Sequence, residues 1–120
     1  MRGAQSALRR AAGRRITYRR PSSGGGSESV DLTAVKGTSR YNATETDGLT
    51  TEVNIEDFLI DVAALRLGGS AVQPKAGDRI EEGGLTYEVM APGGNEPAWR
   101  HLDAGRTTYR IHTKLIDDGA

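Results

Sequence analysis

The sequence predicts an all-β protein: a small closed or nearly closed β-barrel of short antiparallel strands, with a short N-terminal helix or arm. Short runs of residues alternate between polar and apolar along most of the chain, which is the period of a strand with one buried face. Sixteen glycines provide turns between these runs. The 120 residues are read as one domain, and small all-β domains commonly close their sheet to remove exposed edges.

A β-hairpin around the glycine pair 83–84 is the clearest single element. The runs 78–81 and 85–89 alternate on either side of that pair. Glycine suits this turn because the favoured tight hairpin turns have a positive φ. Ile80 and Tyr87 would then face one core, and we expect the other strands to add to this hairpin.

The remaining elements follow from the same alternation. Residues 21–27, rich in Gly and Ser, predict a flexible loop between two pairing strands. The polar segment 37–48 is predicted to be a connection, and residues 63–67 a single helical turn. Residues 55–62 also fit a helix, but their β-branched content favours a strand. The predicted strands cover 15–19, 29–36, 49–62, 98–102 and 107–116.

The apolar face of each predicted strand defines a predicted core. We expect a barrel domain over 15–116, a basic arm over 1–14 and a polar tail over 117–120. The predicted core residues are Ile16, Val30, Leu32, Val53, Phe58, Ile60, Ile80, Leu85, Tyr87, Val89, Trp99, Tyr109, Ile111 and Leu115.

The N-terminal segment is strongly basic. Residues 1–20 carry seven arginines and no acid, whereas the rest of the chain carries nine Lys or Arg against sixteen Asp or Glu, a net charge of −7. Residues 4–12 place alanines and Leu8 near one face of a short helix, which needs a partner surface because short helices are marginal alone. The predicted partner-binding residues of the arm are Arg2, Leu8, Arg9, Arg10, Arg14, Arg15, Arg19 and Arg20.

Few residues could form a catalytic or metal-binding site. The chain has no cysteine, which excludes disulfides and thiolate metal sites. His101 and Asp103 could form a general base or half of a metal site, but nothing supplies the remaining groups, so His101 and His112 are interpreted as surface histidines. We expect no enzymatic activity, no metal, no cofactor and no small-molecule substrate. No apolar run approaches the roughly 20 residues of a membrane helix, so no membrane contact is expected.

The turn-rich loop 92–97 is predicted to be a second contact surface, since loops on a rigid scaffold carry much of molecular recognition. Its predicted partner-binding residues are Asn95 and Glu96. The neighbouring Trp99 is interpreted as a core residue.

The chain resembles the small head-tail joining proteins of tailed bacteriophages, also called head-completion or stopper proteins. The resemblance covers most of the chain from Arg15 onward. The motifs that carry it are Arg15-Ile16-Thr17-Tyr18-Arg19, Glu56-Asp57-Phe58-Leu59-Ile60, Pro74-x-x-Gly77-Asp78-Arg79-Ile80 with Gly84 and Tyr87-Glu88-Val89, the stretch 88–94 with Trp99-Arg100, and the closing strand 107–116.

The resemblance implies a structural β-barrel subunit of the phage neck. Such proteins form a homo-oligomeric ring below the portal or its adaptor, help to retain packaged DNA, and dock the tail. The implied location is the virion, and the host cytoplasm during assembly. The basic arm would then reach a neighbouring subunit or ring, or the packaged DNA.

Three other interpretations stay open at this point. The chain could be an adjacent connector or tail-terminator ring protein. It could be a nucleic-acid-binding β-barrel with the arginines as its electrostatic footprint, although the acidic body and the lack of interleaved aromatic residues argue against this. A small enzyme would rest on His101, Asp103 and His112 alone.

Overall fold

The structure, a computed structural model, describes residues 13–44, 48–93 and 95–119. The predicted helix over 4–12 lies outside the described residues. The described elements are β1 (Arg14–Pro21), β2 (Ser27–Thr44), β3 (Thr50–Asp61), a 3₁₀ turn (Val62–Ala64), β4 (Arg66–Leu67), β5 (Ser70–Ala71), β6 (Arg79–Glu82), β7 (Leu85–Val89), β8 (Trp99–His101) and β9 (Thr108–Asp117).

Six strands form a closed antiparallel barrel, which confirms the predicted fold class. Their order is β3-β2-β1-β6-β7-β9, and the pairing of β3 with β9 closes the wall. Along its other edge, β9 pairs first with β8 and then with β7. A two-stranded sheet of β4 and β5 lies between β3 and β6 in the chain.

The predicted hairpins are confirmed. Gly83 and Gly84 have φ values of 57° and 88° between β6 and β7, the left-handed conformations that glycine adopts without strain. Across the glycine-rich loop, β1 pairs with β2 so that Ile16 lies opposite Leu32. Both of these side chains are buried.

Most of the predicted core is confirmed. The buried predicted residues are Ile16, Leu32, Phe58, Ile60, Ile80, Tyr87, Val89, Tyr109 and Ile111. Val30, Leu85 and Trp99 are partly buried and pack against this cluster. The side chain of Val53 lies outside the description. The core also takes in Tyr18, Ala34, Leu65 and Leu67.

The prediction for Leu115 is wrong, because its side chain is 48% exposed. The alternation of β9 continues to this residue, but the β3–β9 ladder ends two positions earlier, at Thr113. Leu115 still pairs with Tyr87 on β7. With no strand on its other side, it lies where the barrel wall is incomplete.

The prediction of a connection over 37–48 is also wrong. β2 continues to Thr44, and from Gly37 onward it pairs with β3. Thr38 and Arg40, on one face of the first half of this stretch, are polar and exposed, so apolar alternation does not reveal the strand. The predicted helical turn at 63–67 is a 3₁₀ turn that ends at Ala64 and leads into β4.

Candidate interaction surfaces

A row of charged side chains covers the core at one mouth of the barrel. The Nζ atom of Lys36 lies 3.4 Å from Oε1 of Glu82 and 3.6 Å from Oε2 of Glu56. It also donates to the hydroxyl of Tyr87 at 3.0 Å. Nη1 of Arg14 lies 3.2 Å from Oε2 of Glu82. This mouth therefore carries a chain of ion pairs from β1, through β6 and β2, to β3.

The opposite mouth is closed around the buried carboxylate of Asp78. Arg20 donates from Nε to Oδ1 at 2.9 Å and from Nη2 to Oδ2 at 2.8 Å, a bidentate geometry that fits a carboxylate well. The hydroxyl of Tyr18 also donates to Oδ2. Burial, and next the bond to Asp78, raise the pKa of Tyr18 far above its usual range. The group ties the segment before β6 to β1.

A second buried carboxylate, Asp57 on β3, has three side-chain partners. Oδ2 accepts from Nε of Arg110 at 2.7 Å and from the hydroxyl of Ser39, and Oδ1 lies 2.8 Å from Nδ1 of His112. Burial opposes the shift, but the hydrogen bonds from His112, Ser39 and Arg110 hold the pKa of Asp57 below its usual range. Nη2 of Arg110 also donates to the carbonyl of Thr38. The cluster thereby links β2, β3 and β9.

The prediction that His112 is a surface histidine is wrong, because its side chain is fully buried. Both His112 and Asp57 lie on the strand face opposite Ile111 and Phe58, where alternation predicts solvent. Their mutual hydrogen bond offsets the desolvation cost of burying both groups. No apolar pattern in the sequence could reveal such a pair.

His101 and Asp103, the other two residues considered for a catalytic or metal site, do not form one. Asp103 accepts hydrogen bonds from the backbone of Thr107 at 3.0 Å and of Thr108 at 3.1 Å, and so stabilises the turn before β9. The ring of His101 packs against Trp99 and Tyr109. Within residues 13–44, 48–93 and 95–119, no cluster of His, Asp and Glu could hold a metal ion.

The predicted arm is divided between described and undescribed residues. Arg2, Leu8, Arg9 and Arg10 lie outside the described residues, while Arg14 is paired with Glu82 as above. In β1, Nη2 of Arg19 lies 2.8 Å from Oε2 of Glu81, and Arg20 holds Asp78. Arg15 is exposed on the outer face of β1. The structure therefore gives three of these arginines partners in the same chain, and their binding of another molecule stays a prediction.

The predicted contact loop leaves and rejoins the barrel at His112. Met90 donates to the carbonyl of His112 at 3.1 Å, and the amide of His112 donates to the carbonyl of Ala98 at 2.8 Å. At the tip, the amide of Glu96 donates to the carbonyl of Gly93. Asn95 and Glu96 are both exposed. The backbone position that anchors the loop thus carries the side chain that pairs with Asp57.

β2 and β3 extend beyond the barrel as a two-stranded ribbon, which the residue pattern does not indicate. β1 pairs with β2 only as far as Ala34, and β9 pairs with β3 only from Glu56 onward. As strands, residues 39–44 and 50–55 pair with each other and with no other described strand. We call these two segments the ribbon.

The wall also divides at the pair formed by Glu56 and Thr113. Beyond this pair β3 stays with β2, while β9 stays with β7. In the described part of the chain, residues 52–55 of β3 and 114–117 of β9 therefore each have an edge without a strand partner. We call the gap between these two edges the fork.

Comparison with known proteins decides the family. A family model described as phage head-tail joining protein matches residues 1–120. The chain belongs to the phage head-tail joining protein family. None of the curated proteins matches the chain.

Membership of the head-tail joining family gives the chain a structural role in the phage neck and a place in the virion. The family consists of structural proteins and not of enzymes. No helix in the described residues is long and apolar enough to cross a membrane. For a head-tail joining protein, the relevant sites are surfaces that contact the head and tail components, and the ribbon, the fork and the loop 92–97 are the candidates.

Proposed function

We propose that this head-tail joining protein forms a homo-oligomeric ring below the portal or its adaptor, helps to retain packaged DNA, and docks the tail. The observation that carries the ring is the ribbon, whose outer strand edges are not covered by any other described strand. Proteins usually cover or blunt such edges, because an uncovered edge is a template for pairing with another chain. In a ring, the neighbouring subunits cover them.

A ring requires head-to-tail contacts, in which each copy uses one surface toward the preceding copy and a different one toward the next. The ribbon lengthens the molecule, whose principal extents are 47 × 39 × 27 Å. It therefore increases the area that a neighbour can contact without enlarging the barrel. In such a ring, one side of every subunit faces the central axis along which the DNA passes.

The basic arm is proposed to bind an acidic surface of a neighbouring subunit or ring. Arginine suits this role because its planar guanidinium binds a carboxylate with two hydrogen bonds. Residues 1–13 include Arg2, Arg9 and Arg10 and no acidic residue, and Arg15 is exposed beside them on β1. The loop residues Asn95 and Glu96 are proposed as a second contact, toward the tail or the adaptor.

DNA in the channel is the competing partner for the arm, favoured by the same lack of acidic residues. DNA binding would make the affinity fall steeply with salt, because each neutralised phosphate releases counterions. A neighbouring subunit offers a limited set of carboxylates and predicts a shallower salt dependence.

The ring and the arm are tested together by assembly. The full chain should sediment as a defined oligomer, alone or on the purified portal and adaptor complex. A variant that lacks residues 1–13 should keep the far-UV circular dichroism of a β-barrel and assemble more weakly. Arg106→Ala, which removes an exposed arginine in the turn before β9, is the matched control and should assemble normally. A truncated chain that assembles as well as the full chain contradicts the role of the arm, and a full chain that stays monomeric on the complex contradicts the ring.

A further inference from the structure

The fork and Arg14, the residue at which the arm joins β1, lie on opposite sides of the barrel but at the same mouth. Around the wall, β1 is separated from β3 by β2, and from β9 by β6 and β7. The gap between β3 and β9 is therefore across the barrel from Arg14, where the arm begins. The ion pairs from Arg14 through Glu82 and Lys36 to Glu56 show that both places share one level.

The chemistry of the fork complements that of the arm. Exposed carboxylates flank the gap on both sides, Glu52 and Glu56 on β3 and Asp117 on β9, and one exposed lysine, Lys114, lies on the β9 edge beside them. At the β9 edge, Leu115 and Ile116 are 48% and 40% exposed, two of the large apolar side chains that the described residues leave uncovered.

The arm carries the matching groups. Residues 1–12 contain three arginines, one leucine and no acid. With the predicted helix over 4–12 at about 1.5 Å per residue and the other three residues extended at about 3.3 Å, residues 1–12 reach roughly 23 Å, which is enough to enter a neighbour in contact with β1.

We propose that residues 1–12 of one copy bind in the fork of the next copy, between β3 and β9. The arginines of the arm then face Glu52, Glu56 and Asp117, and Leu8 packs on Leu115 and Ile116. This inference rests on the proposed ring and specifies its subunit contact. It also explains why the wall divides at Glu56 and Thr113: the gap is the acceptor of each copy, and the arm is its donor.

Because the arm and the fork lie on opposite sides of the same subunit, their contact produces the head-to-tail relation that a closed ring needs. If the arm bound the fork of its own chain, it would have to cross the mouth above the ion pairs of Lys36. In that case the fork would be filled in the monomer, and the contact would contribute nothing to assembly.

Cysteine cross-linking tests the contact directly, because the chain has no cysteine of its own. One sample mixes two single variants, Leu8→Cys and Lys114→Cys, one of them isotopically labelled. We expect a mixed disulfide that forms at least about tenfold faster than with the control variant Ser29→Cys, since a specific contact raises the effective concentration of the two thiols. Ser29 is exposed on β2, at the glycine-loop end of the barrel away from the fork.

The double variant Leu8→Cys/Lys114→Cys separates the two directions of binding. A contact between copies yields a ladder of covalent multimers on a non-reducing gel, which ends at the size of the ring. A contact within one copy yields a monomer with an internal disulfide, and that result overturns the proposal. Far-UV circular dichroism of each variant verifies that the barrel is folded.

Charge exchange provides a second readout. Arg9→Glu/Arg10→Glu should slow the cross-link, and adding Glu52→Arg/Asp117→Arg should restore it, because like charges that face each other in a contact are unfavourable. A chain that sediments as a ring without the mixed disulfide overturns the arm contact and leaves the ring standing. A chain that stays monomeric and forms no link between copies contradicts both.

Discussion

Nδ1 of His112 lies 2.8 Å from Oδ1 of Asp57, and neither side chain is exposed to solvent. The two residues lie directly opposite each other on β9 and β3, the strands that close the barrel. Because Arg110 and Ser39 bind the other carboxylate oxygen, the carboxylate of Asp57 is the common acceptor that joins three strands at the base of the ribbon.

Removal of the Asp57 carboxylate should be strongly destabilising. We expect Asp57→Ala to lower the free energy of unfolding by about 3–5 kcal/mol, because it removes the carboxylate that both Arg110 and the buried His112 bind. Urea denaturation measures the difference. The control is Asp31→Ala, which removes an exposed carboxylate on β2 that accepts from Thr17 and should cost about 0.5 kcal/mol. Equal losses for the two variants would contradict the role of the cluster.

The cluster around Asp57 also predicts that the free energy of unfolding depends on pH in the acidic range. The pKa of Asp57 is lower in the folded chain than the value near 3.9 of an unfolded aspartate. Its contribution is therefore complete above the unfolded pKa and is lost as the pH falls through the folded pKa. In Asp57→Asn, the free energy of unfolding should fall less steeply between about pH 5 and pH 2 than in the wild type. Parallel curves for the two proteins would show that another group controls acid unfolding.

Tyr18 predicts a loss of stability at alkaline pH. Its pKa is raised in the folded chain, chiefly by burial and then by Asp78, so its contribution is present below the unfolded pKa of about 10 and is lost as the pH rises above it. Tyr18→Phe should therefore lose less stability above pH ~10 than the wild type, and its phenolate absorbance should lack one component that appears only on unfolding. If that component instead titrates near pH ~10 in the folded protein, Tyr18 is not enclosed as described.

The end of the β3–β9 ladder predicts a contrast between two residues of the same strand face. Ile111→Ala should cost about 2–5 kcal/mol because Ile111 is fully buried. Leu115→Ala, four residues further along β9 and 48% exposed, should cost less than about 1 kcal/mol, because a half-exposed side chain loses little burial. Thermal or urea denaturation of both variants checks the contrast. A large loss for Leu115→Ala would mean that the fork is closed in the monomer.

Local signals were sufficient for the elements that depend on neighbouring residues. The hairpin of β6 and β7 follows from two glycines that adopt a positive φ, together with alternation on both sides. The pairing of β1 with β2 follows from a glycine-rich loop between two alternating runs. In both cases the residues that determine the structure lie within a few positions of one another.

The remaining features depend on distant partners. Asp57 and His112 are buried on a face that alternation assigns to solvent, because each supplies the hydrogen bond that the other needs. Leu115 continues the apolar alternation of β9, but only the position of β3 decides that it is exposed. The ribbon has exposed polar residues on one face, and so its strands differ little from a loop in composition.

Closure of the wall by β3 and β9 has a consequence for the order of folding. Arg110 and Asp57, which join the two strands, are 53 positions apart in the chain, whereas β1 with β2 and β6 with β7 are hairpins formed between near neighbours. Loop-closure entropy opposes distant pairings until other contacts shorten the effective loop. The hairpins should therefore form before the two ladders between distant strands, β1–β6 and β3–β9. Until the β3–β9 ladder forms, both of its strands present a full-length free edge, and exchange of β9 between two chains is the misfolding route that the topology favours.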